Sequence, residues 1–343
     1  MKNKSAHILL IYTGGTIGMM EDHRSGHLKP FDFKHLTDQI PELKKLDAQL
    51  SSVSFEKPID SSDMQPKHWV QIAKIIEKNY SKVDGFVILH GSDTMAFTAS
   101  ALSFMLENLS KPVILTGSQL PIGTIRTDGK ENLITAIELA AAQKNGKPII
   151  SEVCIYFEYQ LYRGNRTHKF NSEDFEAFRS PNYPVLANAG VHIHYNFSAI
   201  MKSSEKSLVV HTSLDNKILI LKLFPGIPME VVKNSLKLKN IKAIILETFG
   251  SGNAFTEKIF LNELRHAIES GKIILNISQC VAGSVIQGKY ETSAQLAKIG
   301  VISGNDMTIE AAITKLMFLL EKNKSIQEVK NNLQINLRGE MTV

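Results

Sequence analysis

Residues 85–106 read GFVILHGSDTMAFTASALSFML, and the reading of this stretch decides the fold. Phe86 to Leu89 is a short apolar, partly β-branched run that ends near Gly91, and a periodic apolar stretch follows from Met95. That order predicts a buried strand, a tight turn and a helix. Ser92, Asp93 and Thr94 fall in the turn. In an open α/β sheet ligands occupy the crevice outside the carboxyl ends of the strands, so polar side chains gathered there are candidates for chemistry. Two further apolar runs end in the same way: His7 to Tyr12 enters Thr13-Gly14-Gly15-Thr16-Ile17-Gly18, and Val113 to Leu115 enters Thr116-Gly117-Ser118-Gln119. The three turns are expected to meet along one edge of one sheet and build a pocket for a small polar substrate.

Outward from this core, residues 21–33 are polar, carry Gly26 and Pro30, and read as a loop long enough to act as a lid. A helix is expected over 33–50, interrupted at Pro41, then a strand over 53–58. The turn Asp60-Ser61-Ser62-Asp63-Met64 precedes an amphipathic helix at 67–80, which Asp63 or Ser62 could simply cap. A second amphipathic helix is expected at 132–144, a hairpin at 149–163 turning near Glu158, a short helix at 171–178, and a strand at 191–195 placing His192 and His194 on one face. With no third ligand at metal spacing, those histidines read as surface groups. Residues 196–207 are the most linker-like. Strands at 208–211, 218–223, 243–247 and 273–277 then alternate with helices at 229–236, 257–269 and 309–321.

The expectation is therefore an α/β protein of two α/β domains. The larger, amino-terminal one spans 1–195, with a mainly parallel sheet plus a hairpin; a linker covers 196–207, and the smaller carboxyl-terminal α/β domain covers 208–343. A chain of 343 residues exceeds the usual single-core size of about 250–300 residues, which agrees with two cores. The net charge of +5 is dispersed, and the densest basic stretch (Lys233, Lys237, Lys239, Lys242) lacks interleaved aromatics, so nucleic acid is not an expected partner. Cys154 and Cys280 are too few for a disulfide framework or a thiolate metal site. No apolar run approaches the roughly 18 residues of a membrane span, and the amino-terminal apolar run is too short for a signal peptide, so a cytoplasmic location is expected.

The turns limit the chemistry. There is no GxxxxGK[ST] phosphate loop, and Gly14, Gly15 and Gly18 lack GxGxxG spacing, which argues against nucleotide binding. Hydroxyls abound at the strand ends, but a hydroxyl attacks at neutral pH only when a neighbouring group takes its proton. No GxSxG elbow is present, and the facing of His90 on its strand is open, so a histidine-based serine hydrolase is not supported. A lysine can assist, and Lys169, beside a turn rather than on an exposed helix, is a candidate. Backbone N–H groups of the glycine turns could form an oxyanion hole.

These residues resemble the type I, cytoplasmic L-asparaginases. The resemblance is carried by Tyr12-Thr13-Gly14-Gly15-Thr16-Ile17-Gly18, Asp60-Ser61-Ser62-Asp63-Met64, His90-Gly91-Ser92-Asp93-Thr94-Met95, Arg163-Gly164-Asn165-Arg166-Thr167-His168-Lys169, the stretch 101–108 and the closing 337–342, and it spans nearly the whole chain. It implies hydrolysis of L-asparagine to L-aspartate and ammonia, without metal or cofactor, in a homodimer or homotetramer. By the same resemblance Thr16 is the nucleophile that forms an acyl-enzyme, and Ser92, Asp93 and Lys169 are the hydroxyl, carboxylate and lysine that activate the reaction. Ser61, Ser62 and Asp63, together with Ser92 and Asp93, hold the substrate. A lysine held by a carboxylate keeps its ammonium and acts by polarising Ser92 or by relay.

Three positions depart from the family pattern. Serine stands at position 92 where threonine is usual, losing the methyl that stiffens χ1. Residues 21–30 hold no tyrosine where relatives often place one on the lid, and His27 or Leu28 lies nearest. Some bacterial members have a second, regulatory asparagine site that uses an arginine where this chain has Glu247 and a threonine where it has His168, while Cys280 matches. A carboxylate cannot replace an arginine that binds a substrate carboxylate, so no such regulation is expected. Two alternatives are an asparaginase-like subunit of an archaeal tRNA-dependent amidotransferase and a non-catalytic asparagine-binding sensor. The first would carry an extra amino-terminal domain, whereas the first strand here begins within about ten residues of Met1; the second is suggested by Ser92 and the missing tyrosine.

Overall fold

A computed structural model describes residues 5–21, 28–30, 40–288 and 291–342. Strand β1 (Ala6–Tyr12) lies between two parallel partners, β2 (Ala48–Ser54) and β3 (Gly85–Leu89). Helix α1 (Pro66–Asn79) links β2 to β3 and buries Trp69, Ile72, Ala73 and Ile76, the i, i+3, i+4, i+7 stripe that its sequence spells. Every residue of β3 is buried, as a strand covered on both faces requires. Helix α2 (Met95–Met105) follows, buried nearly all round. Then come β4 (Val113–Thr116), α3 (Gly129–Ala141), β5 (Val153–Phe157) and β6 (Gln160–Arg163), with β7 (Ala187–Ala189) and β8 (Ile193–Tyr195) antiparallel beyond them. The sheet order is β8-β7-β6-β5-β4-β3-β1-β2, and its five-strand parallel part, 2-1-3-4-5, reverses direction between β1 and β3. In open α/β sheets the ligand crevice lies at such a reversal of strand order.

Contacts divide the chain into two compact units, Met1–Thr212 and Ser213–Val343. The second has a parallel sheet of β9 (Ile218–Lys222), β10 (Ala243–Thr248), β11 (Ile273–Ser278) and β12 (Ile302–Ser303), in that order. Its helices are α4 (Met229–Lys237), α5 (Lys258–Glu269), α6 (Glu291–Lys298), α7 (Ile309–Lys322) and α8 (Ile326–Leu333), of which α6 and α8 were not anticipated. The two-domain α/β architecture expected from the sequence is the one observed.

Several local expectations are corrected. Within 33–50, residues 33–39 lie outside the described ones; the rest holds a short 3₁₀ turn, Pro41–Lys45, followed by β2, which begins at Ala48 rather than 53. The strand expected at 208–211 is reduced to Val209–Val210, which pairs with Leu106–Glu107 inside the first unit. No helix forms over 171–178. There the Asn171 side-chain oxygen accepts from the N–H groups of Glu173 and Asp174, a turn that competes with helix, and Phe178–Arg179 pairs with His168–Lys169 instead. His192 precedes β8, so it does not share a strand face with His194. The lid stretch forms a two-stranded ribbon where it is described, Met19–Glu21 against Leu28–Pro30, while its tip with His27 lies outside the described residues.

Candidate active site

The turn after β1 is held by backbone. The N–H and hydroxyl of Thr13 both donate to the Leu89 carbonyl, each at 3.0 Å, and Ile59 N donates to the Thr13 carbonyl at 2.8 Å. Gly14 and Gly15 sit at φ 138° and 86°, conformations that favour glycine. A side-chain carbon on Gly14 would meet the Ile59 carbonyl oxygen at 2.0 Å, and one on Gly15 would meet Gly91 N at 2.4 Å. The Thr13–Gly18 turn is thus wedged between the turn after β2 and the turn after β3. Its far end is pinned by the Tyr12 hydroxyl, which donates to the Gly18 carbonyl at 3.1 Å. Burial pushes that phenol up to about 12, so it stays a donor. Thr16 is partly exposed, and among the described residues its hydroxyl has no hydrogen-bond partner.

The turn after β2 packs on the same backbone. Ser61 is buried, and a side-chain carbon on Gly91 would lie 2.6 Å from its Oγ; the Thr94 hydroxyl donates to the Ser61 carbonyl at 2.6 Å. Asp60 accepts from the N–H and hydroxyl of Ser62, bonds that lower its carboxyl below the usual range despite some desolvation. Ser62 and Asp63 are left exposed. Neither caps α1: the residue before that helix is Gln65, whose N–H donates to His68 Nδ1 at 3.0 Å, with Pro66 at the first helical position. Helix capping therefore does not account for Ser62 and Asp63.

Lys169 reaches the site from the far side of the β5–β6 hairpin. Beneath its turn, Arg163 pairs with buried Glu152 at 2.6 Å, and the guanidinium groups of Arg163 and Arg166 lie 4.3 and 5.0 Å from the centre of the Tyr183 ring. The His168–Lys169 segment pairs with Phe178–Arg179, and the Tyr162 hydroxyl ties down the Phe178 carbonyl at 3.0 Å. On this base the Lys169 ammonium donates to Ser92 Oγ at 2.9 Å and to Asp93 Oδ1 at 2.5 Å. The Asp93 side chain is 62 % exposed and that of Lys169 16 %, so the pair matters more for aiming a charge than for stability.

Ser92, Asp93 and Lys169 are thus in direct contact. Ser61 lies against the backbone that leads into them, and Thr16 follows Gly15, which abuts that backbone from the other side. In the sequence Gln119 stands out only as part of the turn after β4. The Ser92 hydroxyl faces its Oε1 at 3.4 Å, its Nε2 donates to the Ser172 and Asp174 carbonyls, and its own N–H is held by both Asp128 carboxylate oxygens. Its place in a turn after a parallel strand was the available signal. Such a cluster, with a hydroxyl and a carboxylate both bonded to an ammonium on a switch-point crevice, suits acyl transfer on a small polar amide.

Comparison with known proteins gives the same picture. Residues 7–201 match the family model described as Asparaginase, N-terminal, and residues 217–333 that described as Glutaminase/Asparaginase C-terminal domain. L-asparaginase 1 of Escherichia coli K12 is 44% identical over 348 residues, covering 100% of this chain and 99% of that protein. The crystal structure of L-asparaginase I from Vibrio cholerae superposes with a TM-score of 0.90 at 44% identity, covering 98% of this chain and 99% of that one. A structure described as "Probable Cytoplasmic L-asparaginase from Campylobacter jejuni" matches with a TM-score of 0.79 at 26% identity over 96% of this chain and 100% of that one. The chain belongs to the asparaginase family.

Proposed function

We propose that the protein hydrolyses L-asparagine to L-aspartate and ammonia through a covalent ester on Thr16. The observation that carries this reading is the Lys169 ammonium, within hydrogen-bond distance of both Ser92 Oγ and Asp93 Oδ1 at the end of β3. Thr16 Oγ forms a bond to the side-chain amide carbon, and backbone N–H groups of the turns stabilise the resulting oxyanion. The C–N bond then breaks. The proton lost by the Thr16 hydroxyl passes by way of Ser92 to the leaving nitrogen, which departs as ammonia. Water next attacks the ester, releasing aspartate and restoring the Thr16 hydroxyl. Lys169 polarises Ser92 in both halves, and Asp93 holds Lys169 in place.

The exposed Ser62 and Asp63 suit the α-carboxylate and α-ammonium of an amino acid, with Ser61 setting the turn that presents them. The Escherichia coli and Vibrio cholerae relatives, named as L-asparaginases, support asparagine as substrate, and the Campylobacter jejuni structure supports a cytoplasmic location. No helix among the described residues is long and apolar enough to cross a membrane. Assembly as a homodimer or homotetramer belongs to the same reading, and sedimentation at micromolar concentration tests it.

Thr16→Val tests the mechanism. It should abolish ammonia release from asparagine while the circular dichroism spectrum stays that of the wild type, and full retained activity would refute the assignment. Asparagine that binds the wild type with release of heat but yields no ammonia would instead favour a sensor.

A further inference from the structure

His90 takes no part in the reaction above, yet it touches the peptide on which the turns of the site converge. Its ring is fully buried. Trp69 Nε1 donates to Thr98 Oγ1 at 2.9 Å, Thr98 Oγ1 lies 2.9 Å from His90 Nε2, and His90 Nδ1 lies 2.7 Å from the Gly91 carbonyl oxygen. A carbonyl can only accept, so Nδ1 carries the hydrogen. A neutral imidazole has one N–H, so Nε2 is bare and takes the Thr98 hydroxyl hydrogen, while Thr98 in turn accepts from the indole. Burial pushes the ring's pKa down to about 4, with the Gly91 bond opposing it only in part, which keeps the ring neutral. The chain Trp69, Thr98, His90, Gly91 therefore runs in one direction and fixes one tautomer.

A trans peptide is planar and its C=O and N–H point opposite ways. With the Gly91 oxygen turned toward the buried ring, the Ser92 N–H is turned away from it, and among the described residues that N–H has no acceptor. The same segment is gripped by the neighbouring turns: a side-chain carbon on Gly15 would meet Gly91 N at 2.4 Å, and one on Gly117 would meet the His90 carbonyl oxygen at 2.5 Å. We propose that His90 is a positioning residue that acts through the Gly91 carbonyl, aiming the Ser92 N–H at the substrate amide oxygen as negative charge builds on it. This rests on the asparaginase reading above, and it adds the group that orients one donor of the oxyanion site.

The tautomer is read on resting protein. Long-range proton–nitrogen correlation on nitrogen-15 histidine-labelled enzyme, at about pH 6 to 8, is expected to give His90 as neutral Nδ1–H; an Nε2–H tautomer or an imidazolium overturns the proposal. Losing one oxyanion donor outright costs about 10²–10³ in kcat, so a donor left in place but unaimed should cost about 10- to 100-fold in His90→Leu, with KM moved by less than about threefold. His90→Asn, whose amide N–H reaches the position of Nδ1, should restore most of that loss. A folded His90→Leu with wild-type kcat, or an Asn variant of equal thermal stability that is no faster than Leu, overturns the proposal. If His90→Leu does not fold, Thr98→Val carries the test by removing the hydroxyl that holds Nε2 and so the ring's orientation toward Gly91. It should give a several-fold lower kcat at unchanged KM, and unchanged kcat counts against His90. A wild type that releases no ammonia from asparagine would sink the reading of function, and the tautomer spectrum would still decide whether His90 holds Gly91.

Discussion

On the proposed mechanism Lys169 concentrates the chemistry of the site in one charge, and replacing it tests how much that charge supplies. Lys169→Met keeps the apolar stem of the side chain and removes the donor, so ammonia release should fall by about 10³-fold or more, as expected for loss of electrostatic stabilisation at the reacting atoms. A loss under about tenfold in a coupled ammonia assay would assign the lysine a lesser part. Glu158 bears on stability rather than turnover. Desolvation first, and then the carboxylates of Asp128, Glu131 and Glu176, raise its carboxyl to about 7. A raised carboxyl binds its proton more tightly in the folded state, so its contribution is full below the unfolded value near 4.5 and is lost as pH rises through about 7. Glu158→Gln should therefore raise the melting temperature over the wild type more at pH 8 than at pH 5, and an equal difference at both would contradict the shift. At this scale the strand-end rule picked out Ser61, Ser62, Asp63, Ser92 and Asp93 correctly as turn residues. The meeting of Lys169 with Ser92 and Asp93 was legible only through the family resemblance. It depends on the β5–β6 hairpin and on Arg163 and Arg166 gripping Tyr183, contacts between residues far apart in the chain that leave no local periodicity.

Among the elements, the carboxyl-terminal segment 336–342 is anchored by a buried ion pair as well as by the bonds of Thr342 to Asp306. Lys315, on α7, and Glu340 are both fully buried and lie 2.6 Å apart. Lys315 also donates to the Leu333 and Ile335 carbonyls, and Glu340 accepts from the N–H groups of Leu337 and Arg338. Removing one partner leaves an uncompensated charge in the interior, so Glu340→Ala should cost about 3–5 kcal/mol in urea unfolding, and Lys315→Met with Glu340→Leu should cost less than the single change. A cost under about 1 kcal/mol for Glu340→Ala would mean that water reaches the lysine. Helices and central strands were readable because burial on one stripe, or on both faces, dictates their patterns. The misreadings lie where burial dictates little. β2 is an edge strand of only partly buried and exposed residues, and the spacing of Ile40, Leu43, Leu46 and Leu50 imitates a helix. Residues 171–178 contain helix-compatible Glu and Phe, but Asn171 captures the backbone first.

For the whole molecule, the rate should depend hyperbolically on asparagine concentration. In the second unit the Glu247 carboxylate lies 3.7 Å from Lys222 Nζ on the neighbouring strand, so the position that resembles the arginine of some bacterial members' regulatory site holds a carboxylate already paired with a lysine. Initial rates across a thousandfold range of asparagine check this, and a sigmoidal curve would contradict it. The glycine wedge around Thr16 has a consequence for how this molecule can change over generations. At Gly14, Gly15 and Gly91 the neighbouring turns close directly on bare main chain, and nothing smaller than glycine exists to substitute there. A descendant adapting to a bulkier amide could not carve room out of that side. It would have to gain space from Ser62, Asp63 or Gln119, so selection for new substrates should leave its marks there while the glycine side stays as it is.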